Sequence, residues 1–263
     1  MDKFLILKTF INTIAINWKT YMAEKRKIYT SFHDIPPREY MYFPKGTLET
    51  GKPGKFSRIE INQLLISIGV LTIAFSFALT GNNLISGLIN GFKLSSLPFG
   101  IGKSFLGVIT AFFFHEFSHK FMAQKYGLWA EYRMFPRGLS LALFLGIFTP
   151  LVFAAPGAVM FRGEARDFEM GHIAIAGPLA NMIIAAVTLP LYLFIFYEIP
   201  VLGEIIGFTC LINAVLATFN LLPFGPLDGV KVVRWNGTTW VISLIVAITM
   251  MTIIFLRLSY SPV

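Results

Sequence analysis

One cysteine, Cys210, stands among 263 residues, which excludes a disulfide scaffold and any multi-thiolate metal site within the chain. Four histidines exclude a His-rich array. Charge is scarce. Lys, Arg, Asp and Glu make up 14%, where a soluble domain carries about a quarter. With 55% hydrophobic residues and a mean hydropathy of +0.67, the chain cannot cover a water-facing surface. That excludes an ordinary soluble domain and a disordered chain. Acidic residues are the scarcer sign, 14 against 22 basic, which leaves a net charge of +8. Such an excess resembles a nucleic-acid signal until it is located. Residues 1–60 hold 11 basic and 6 acidic residues, and the other 203 hold 11 and 8. A basic head on an apolar body points to orientation in a membrane, with no nucleic-acid partner.

The head, residues 1–60, is the only substantial polar region. Its apolar stretch 4–18 is interrupted by Lys8, Thr9, Asn12 and Thr13 and lacks a small-residue cleavage pattern, so it reads as an interfacial helix. Residues 25–60, rich in Lys, Pro and Gly, read as loop or extended chain. From residue 61 onward apolar runs take over, at 61–80, 104–124, 139–160, 172–197, 201–222 and 238–256. About 20 apolar residues suffice to cross a ~30 Å hydrocarbon core. The fold class is therefore an all-α polytopic membrane protein. The stretch 82–101, with Gly, Asn and Lys, reads as a loop at the interface. There is no internal repeat or low-complexity tract.

Ionisable groups inside such runs are costly and mark function by default. The second run contains His115-Glu116-Phe117-Ser118-His119. This is H-E-x-x-H. On a helix, the two imidazoles lie one turn apart on one face and can share one Zn²⁺, while Glu116 sits beside them as a base. Gly107 and Ala111 continue the same stripe and let another helix approach the metal face. A third ligand must come from elsewhere. Glu131, Glu164, Asp167 and Glu169 fall in polar loops, Glu198 and Glu204 flank a turn, and His172 opens the fourth run as a helix-start residue. Asp228 ends the fifth run in Asn220-Leu-Leu-Pro-Phe-Gly-Pro-Leu-Asp228-Gly229, where two prolines and two glycines unwind the chain. Unwound backbone at membrane depth is tolerated where it is buried or lines a cavity, so Asp228 is the chosen ligand. Ala174, Gly177, Asn181 and Ala185 form one stripe, and Asn213, Ala217 and Asn220 another. Polar groups among small residues suit a face turned to another helix.

Together His115–His119, Ala176-Gly-Pro-Leu-Ala-Asn181 and the Asn220–Gly229 segment resemble the site-2 protease family of intramembrane zinc metalloproteases, in its minimal archaeal and bacterial form without a PDZ domain. The likeness covers about residues 104–230. It implies His115, His119 and Asp228 as zinc ligands and Glu116 as general base. It also implies that Asn181 and Asn220 lie beside the active site, where they bond substrate backbone or support the transition state.

Two arguments bear on topology. His119 and Asp228 must lie at similar depth to share an ion, so their helices run in the same direction. That holds if 139–160, broken at Pro150 and Pro156, is a re-entrant or hairpin segment, leaving five crossings. With a cytoplasmic head, 19 of the 22 basic residues then lie inside and Lys93, Lys103 and Arg257 outside. The re-entrant segment also offers an edge for β-addition of an unwound substrate, as the family likeness suggests. The expectation is a basic cytoplasmic segment, 1–60, followed by a transmembrane metalloprotease domain, 61–263, in the cell membrane. Its partners are the bilayer and transmembrane protein substrates. Two alternatives stay open at this point. One is a non-catalytic metal-holding membrane protein or transporter. The other is a membrane-anchored metalloprotease with a cytoplasmic site and a ligand such as Glu164 or Glu169.

Overall fold

The computed structural model describes residues 56–162 and 165–259. The helix expected within 4–18, most of the Lys/Pro/Gly-rich stretch and Glu164 lie outside the described residues. Nine α-helices and two strands are formed among those described. They are α1 (Arg58–Leu79), α2 (Leu84–Asn90), α3 (Leu97–Val108), α4 (Phe114–Lys125), β1 (Trp129–Met134), α5 (Pro136–Phe148), β2 (Gly157–Arg162), α6 (Asp167–Leu191), α7 (Pro200–Asn220), α8 (Asp228–Trp235) and α9 (Gly237–Ser259). Five helical segments are long and apolar enough to cross a membrane: α1, α3 joined to α4, α6, α7 and α9. The protein is an all-α polytopic membrane protein. Its outward Leu, Ile and Phe side chains, such as Leu65, Ile183, Ile245 and Phe255, are exposed. In lipid that surface needs no cover.

α3 and α4 form one rod through a π-turn at Ile109–Phe113, in which the Phe114 N–H donates to Ile109 O. The wide turn sits immediately before His115. The rod begins earlier than the sequence suggests. Residues 82–101, read as a loop, instead hold α2 and the first turn of α3, which carries Pro98 in its opening positions. The glycines that weaken the apolar signal there serve packing. A Cβ on Gly100 would lie 2.2 Å from Thr80 Cγ2 at the end of α1.

The segment between α4 and α6 does not cross. β1 and β2 pair antiparallel from Trp129↔Arg162 to Met134↔Gly157, and Phe135 N donates to Pro156 O at 2.7 Å. Residues 135–156 therefore leave and return at one level. α5, at 13 residues, is about 20 Å long, too short to span. It packs on α1, where Gly146 lies so close that a Cβ would meet Ala74 O at 2.4 Å. This is the re-entrant segment that the parity of the ligands required, built as a helical loop closed by a two-stranded ladder.

The ladder's two outer edges are treated differently. The outward N–H groups of β1 are covered by α1, since Tyr132 N donates to Glu60 Oε1 at 2.9 Å and Met134 N to Gln63 Oε1 at 3.0 Å. Glu60 also takes the Lys120 ammonium at 2.5 Å, and both side chains are buried. Beside them Glu131 pairs with Arg133. Burial raises the Glu131 carboxyl above its ordinary pKa, and Arg133 opposes that shift. The outer edge of β2 faces the rod, where Val159 N donates to Glu116 Oε2 at 3.0 Å.

Candidate metal centre

Each ligand is placed by its backbone. α4 puts His115 and His119 on one face, one turn apart, and α6 crosses that face closely. Asp228 opens α8 after the Pro-rich unwound segment, and Gly229 lets this start nest on α7, since a Cβ there would lie 2.2 Å from Leu221 O. The three side chains converge in the interior. His115, His119 and Asp228 are 4%, 7% and 8% exposed. They are the one His/Cys/Asp/Glu group among the described residues whose ligand atoms all lie within 4.8 Å of one another.

The hydrogen-bond network fixes the imidazole tautomers. His119 Nδ1 lies 2.7 Å from Ile173 O. A carbonyl only accepts, so Nδ1 carries the proton and Nε2 a lone pair. For His115 the partner is Asn181 Oδ1 at 2.6 Å. That amide's orientation is set by its other end, because Nδ2 must donate to Ala111 O at 2.8 Å. His115 therefore also carries its proton on Nδ1 and turns a bare Nε2 inward.

Three acceptors then face one another with no hydrogen between them. His115 Nε2 and His119 Nε2 are 3.0 Å apart. Asp228 Oδ2 is 3.1 Å from His119 Nε2 and 3.5 Å from His115 Nε2. A buried acceptor without a partner costs about 1–3 kcal/mol. One proton could bridge one of these contacts, whereas one cation satisfies all three. Ligands at about 2.0–2.1 Å around a tetrahedral zinc lie roughly 3.3 Å apart, a value that the observed 3.0, 3.1 and 3.5 Å bracket. Gly177 completes the cradle. A Cβ there would meet His119 Nε2 at 2.3 Å and His115 Nε2 at 2.7 Å. The donor set, its spacing and the space left for it fit a zinc ion with an open fourth position. The Nδ1 partners are the outer-shell bonds that such ligands use for orientation.

Comparison with known proteins agrees. The chain is 39% identical over 189 residues to "Putative zinc metalloprotease MJ0611" of Methanocaldococcus jannaschii, covering 72% of this chain and 90% of that protein. It is 29% identical over 131 residues to "Zinc metalloprotease MJ0392" of the same organism, covering 49% of this chain and 33% of that protein. The chain belongs to this zinc metalloprotease family. No family model matches it, and no solved structure does.

In this metalloprotease the remaining sequence candidates fall in distinct places. Glu116, 9% exposed, stands beside the ligands with its carboxylate on the Val159 N–H. Asn181 is buried behind His115 with both amide groups bonded. Asn220 is half-buried and donates to Leu216 O at 3.0 Å within its own helix, and among the described residues it makes no bond to the ligand side chains. Among the other acidic and His candidates, His172 bonds Tyr126 Oη and packs on Trp235. Glu169 caps α6 through Arg166, and Glu204 pairs with Lys103. None of these enters the ligand group. Sequence reasoning did not find Lys231, whose Nζ lies 3.3 Å from Asp228 Oδ1 on the side of the carboxylate turned away from the histidines. Its spacing, three residues along α8, was the available signal. The Val159 and Ile173 contacts run through backbone atoms and leave no trace in residue type.

Proposed function

We propose that this metalloprotease is an intramembrane endopeptidase of the site-2 type, cutting peptide bonds within or next to transmembrane segments of other proteins. The observation that carries the reading is the position of the ligand set, buried among helices long and apolar enough to cross a membrane, directly beside an outward strand edge. Zinc bound there supplies a Lewis acid that polarises a carbonyl and lowers the pKa of water. His115, His119 and Asp228 hold it. Glu116 takes the proton of the attacking water and returns it to the leaving amine.

A helical substrate shields its carbonyls with its own hydrogen bonds and must be unwound before it can be cut. The outer edge of β2 supports a way to hold it extended. In the Val159↔Tyr132 pair both N–H groups turn outward, to Glu116 and to Glu60. By strand alternation the N–H groups of Gly157 and Phe161 share the edge with Val159. A substrate strand added there runs past Glu116 and takes over its Val159 contact. Asn220, at the end of α7, is within the same reading a side chain that meets substrate backbone. The half-exposed Lys231 side chain beside the buried Asp228 supports a path for water to the site from the basic face.

The charge distribution supports a cytoplasmic N-terminus in the cell membrane, with the metal site opening toward the basic face. Transmembrane protein substrates and the bilayer are the partners this requires. Against the cytoplasmic-site alternative, Glu169 is committed to Arg166. Against a passive metal holder, a carboxylate stands where a general base is needed. The test is a reconstituted transmembrane reporter. Wild type stripped with a chelator should lose cleavage and regain it with Zn²⁺, and Glu116→Gln should keep zinc without cutting. Cleavage by Glu116→Gln would reject the assignment.

A further inference from the structure

On the sequence Asn213 is a polar residue on a helix-facing stripe. The structure gives it a definite place. Behind His115, Asn181 Nδ2 donates to Asn213 Oδ1 at 2.9 Å as well as to Ala111 O. Asn213 Nδ2 donates to Thr209 O at 2.9 Å and to Thr110 Oγ1 at 3.1 Å. The Thr110 hydroxyl sits 2.9 Å from Leu106 O and 3.0 Å from Gly107 O, to which it donates. Asn181 and Asn213 are fully buried. The thread runs Thr110–Asn213–Asn181–His115 and joins α7, α6, the π-turn and the metal helix.

Every donor in the thread has one permitted direction. A carboxamide can rotate by 180°, exchanging its oxygen for its NH₂ group. Flipped, Asn181 would present N–H groups to His115 Nδ1. The imidazole would answer by moving its proton to Nε2, the atom that must stay bare to bind a metal. Two acceptors oppose that flip, Ala111 O and Asn213 Oδ1. Asn213 Oδ1 stays in place because Thr209 O and Thr110 Oγ1 hold the other end of its amide. A flipped Asn213 would set two NH₂ groups against each other. The π-turn belongs to the same device, since it contains both Thr110 and Ala111.

We propose that Asn213 and Thr110 are positioning residues of the metal centre, acting through Asn181 to keep His115 protonated on Nδ1 with Nε2 free for the ion. The inference rests on the zinc-binding reading of the ligand set and not on proteolysis. Interhelical packing alone would also conserve fold stability, so the test must read the metal. Outer-shell partners of zinc histidines typically change metal affinity 10- to 100-fold.

The experiment uses the full chain in detergent, with zinc affinity measured by chelator competition and ligand geometry by the visible spectrum of the Co²⁺-substituted protein. Thr110→Val removes the hydroxyl at nearly constant shape, Thr110→Ser restores it, and Asn213→Leu removes the amide. Asn213→Leu should bind zinc about tenfold or more weakly with an altered Co²⁺ spectrum. Thr110→Val should shift the same readouts in the same direction, and Thr110→Ser should return them to wild type. Wild-type affinity and spectrum in Thr110→Val, whatever happens to Asn213→Leu, would overturn the proposal. Should affinity fall along the series while none of the proteins cuts a transmembrane peptide, the relay stands and the protease reading fails.

Discussion

Replacing Gly177 by Ala probes the metal face directly, because the added methyl group would enter the space between α6 and the two histidines. Gly177 lies inside α6 with no special backbone conformation. Ala in a helix interior is favoured over Gly by about 0.5–1 kcal/mol, which offsets part of the cost of displacing the two buried rings, so the metal-free protein should unfold at a similar or somewhat lower temperature. At the metal face the methyl would lie 2.3 Å from His119 Nε2, where ordinary contact begins at 3.4 Å, so that ring must retreat by 1.1 Å (3.4 minus 2.3). His115 Nε2, at 2.7 Å, must retreat by 0.7 Å (3.4 minus 2.7). Zinc–ligand distances tolerate only about 0.2 Å. Neither histidine can retreat freely, since Ile173 O and Asn181 hold their Nδ1 atoms. Zinc affinity should fall by at least about 100-fold, near the upper end of what perturbing a site's surroundings does. Zinc content and chelator competition, measured beside thermal unfolding of metal-free protein, read both effects. Wild-type zinc affinity in Gly177→Ala would refute the placement of the ion between the histidines and α6.

Other perturbations divide the account further. Asp228→Ala should weaken zinc binding strongly, whereas Glu169→Ala should leave zinc content unchanged, as competition with a chelator would show. Glu60→Leu deprives the buried Lys120 ammonium of its Glu60 carboxylate and the Tyr132 N–H of its acceptor. It should destabilise the protein by about 3–5 kcal/mol, and the double change with Lys120→Met should recover part of that loss in denaturant unfolding. Val159→Pro removes the N–H that Glu116 accepts, so transmembrane reporter cleavage should drop while zinc content is retained. Single cysteines at positions 165 and 127, near the two ends of the re-entrant unit, should be labelled from the same side of the membrane by an impermeant reagent.

The sequence made the ligands legible because their residue types are costly in an apolar run. His115, His119 and Asp228 stood out on hydropathy and spacing before any packing was known. The parity of their helices also led to the re-entrant segment, which the β1–β2 pairing closes. The strands themselves were hidden. Trp129–Met134 is short and carries Glu131 and Arg133, and its stabilising partners, Glu60 and Gln63, lie about 70 residues earlier. The start of the second span was missed because Gly100 and its neighbours lower hydropathy for the sake of a close helix contact. Asn181 was expected at the site, and its amide is found on His115 Nδ1. What no residue pattern shows is which carbonyl or amide N–H a side chain will meet, and Ile173 O, Ala111 O and the Val159 N–H decide the orientation of His119, Asn181 and Glu116.

The central claim is that zinc held by His115, His119 and Asp228 cuts a peptide bond at membrane depth with Glu116 as base. Mass-spectrometric mapping of products from a transmembrane reporter in proteoliposomes tests it most directly. The account predicts one cut within or next to the transmembrane segment by zinc-loaded wild type, and none by zinc-loaded Glu116→Gln. Cuts confined to soluble parts of the reporter, or an intact reporter with fully zinc-loaded wild type, would contradict it.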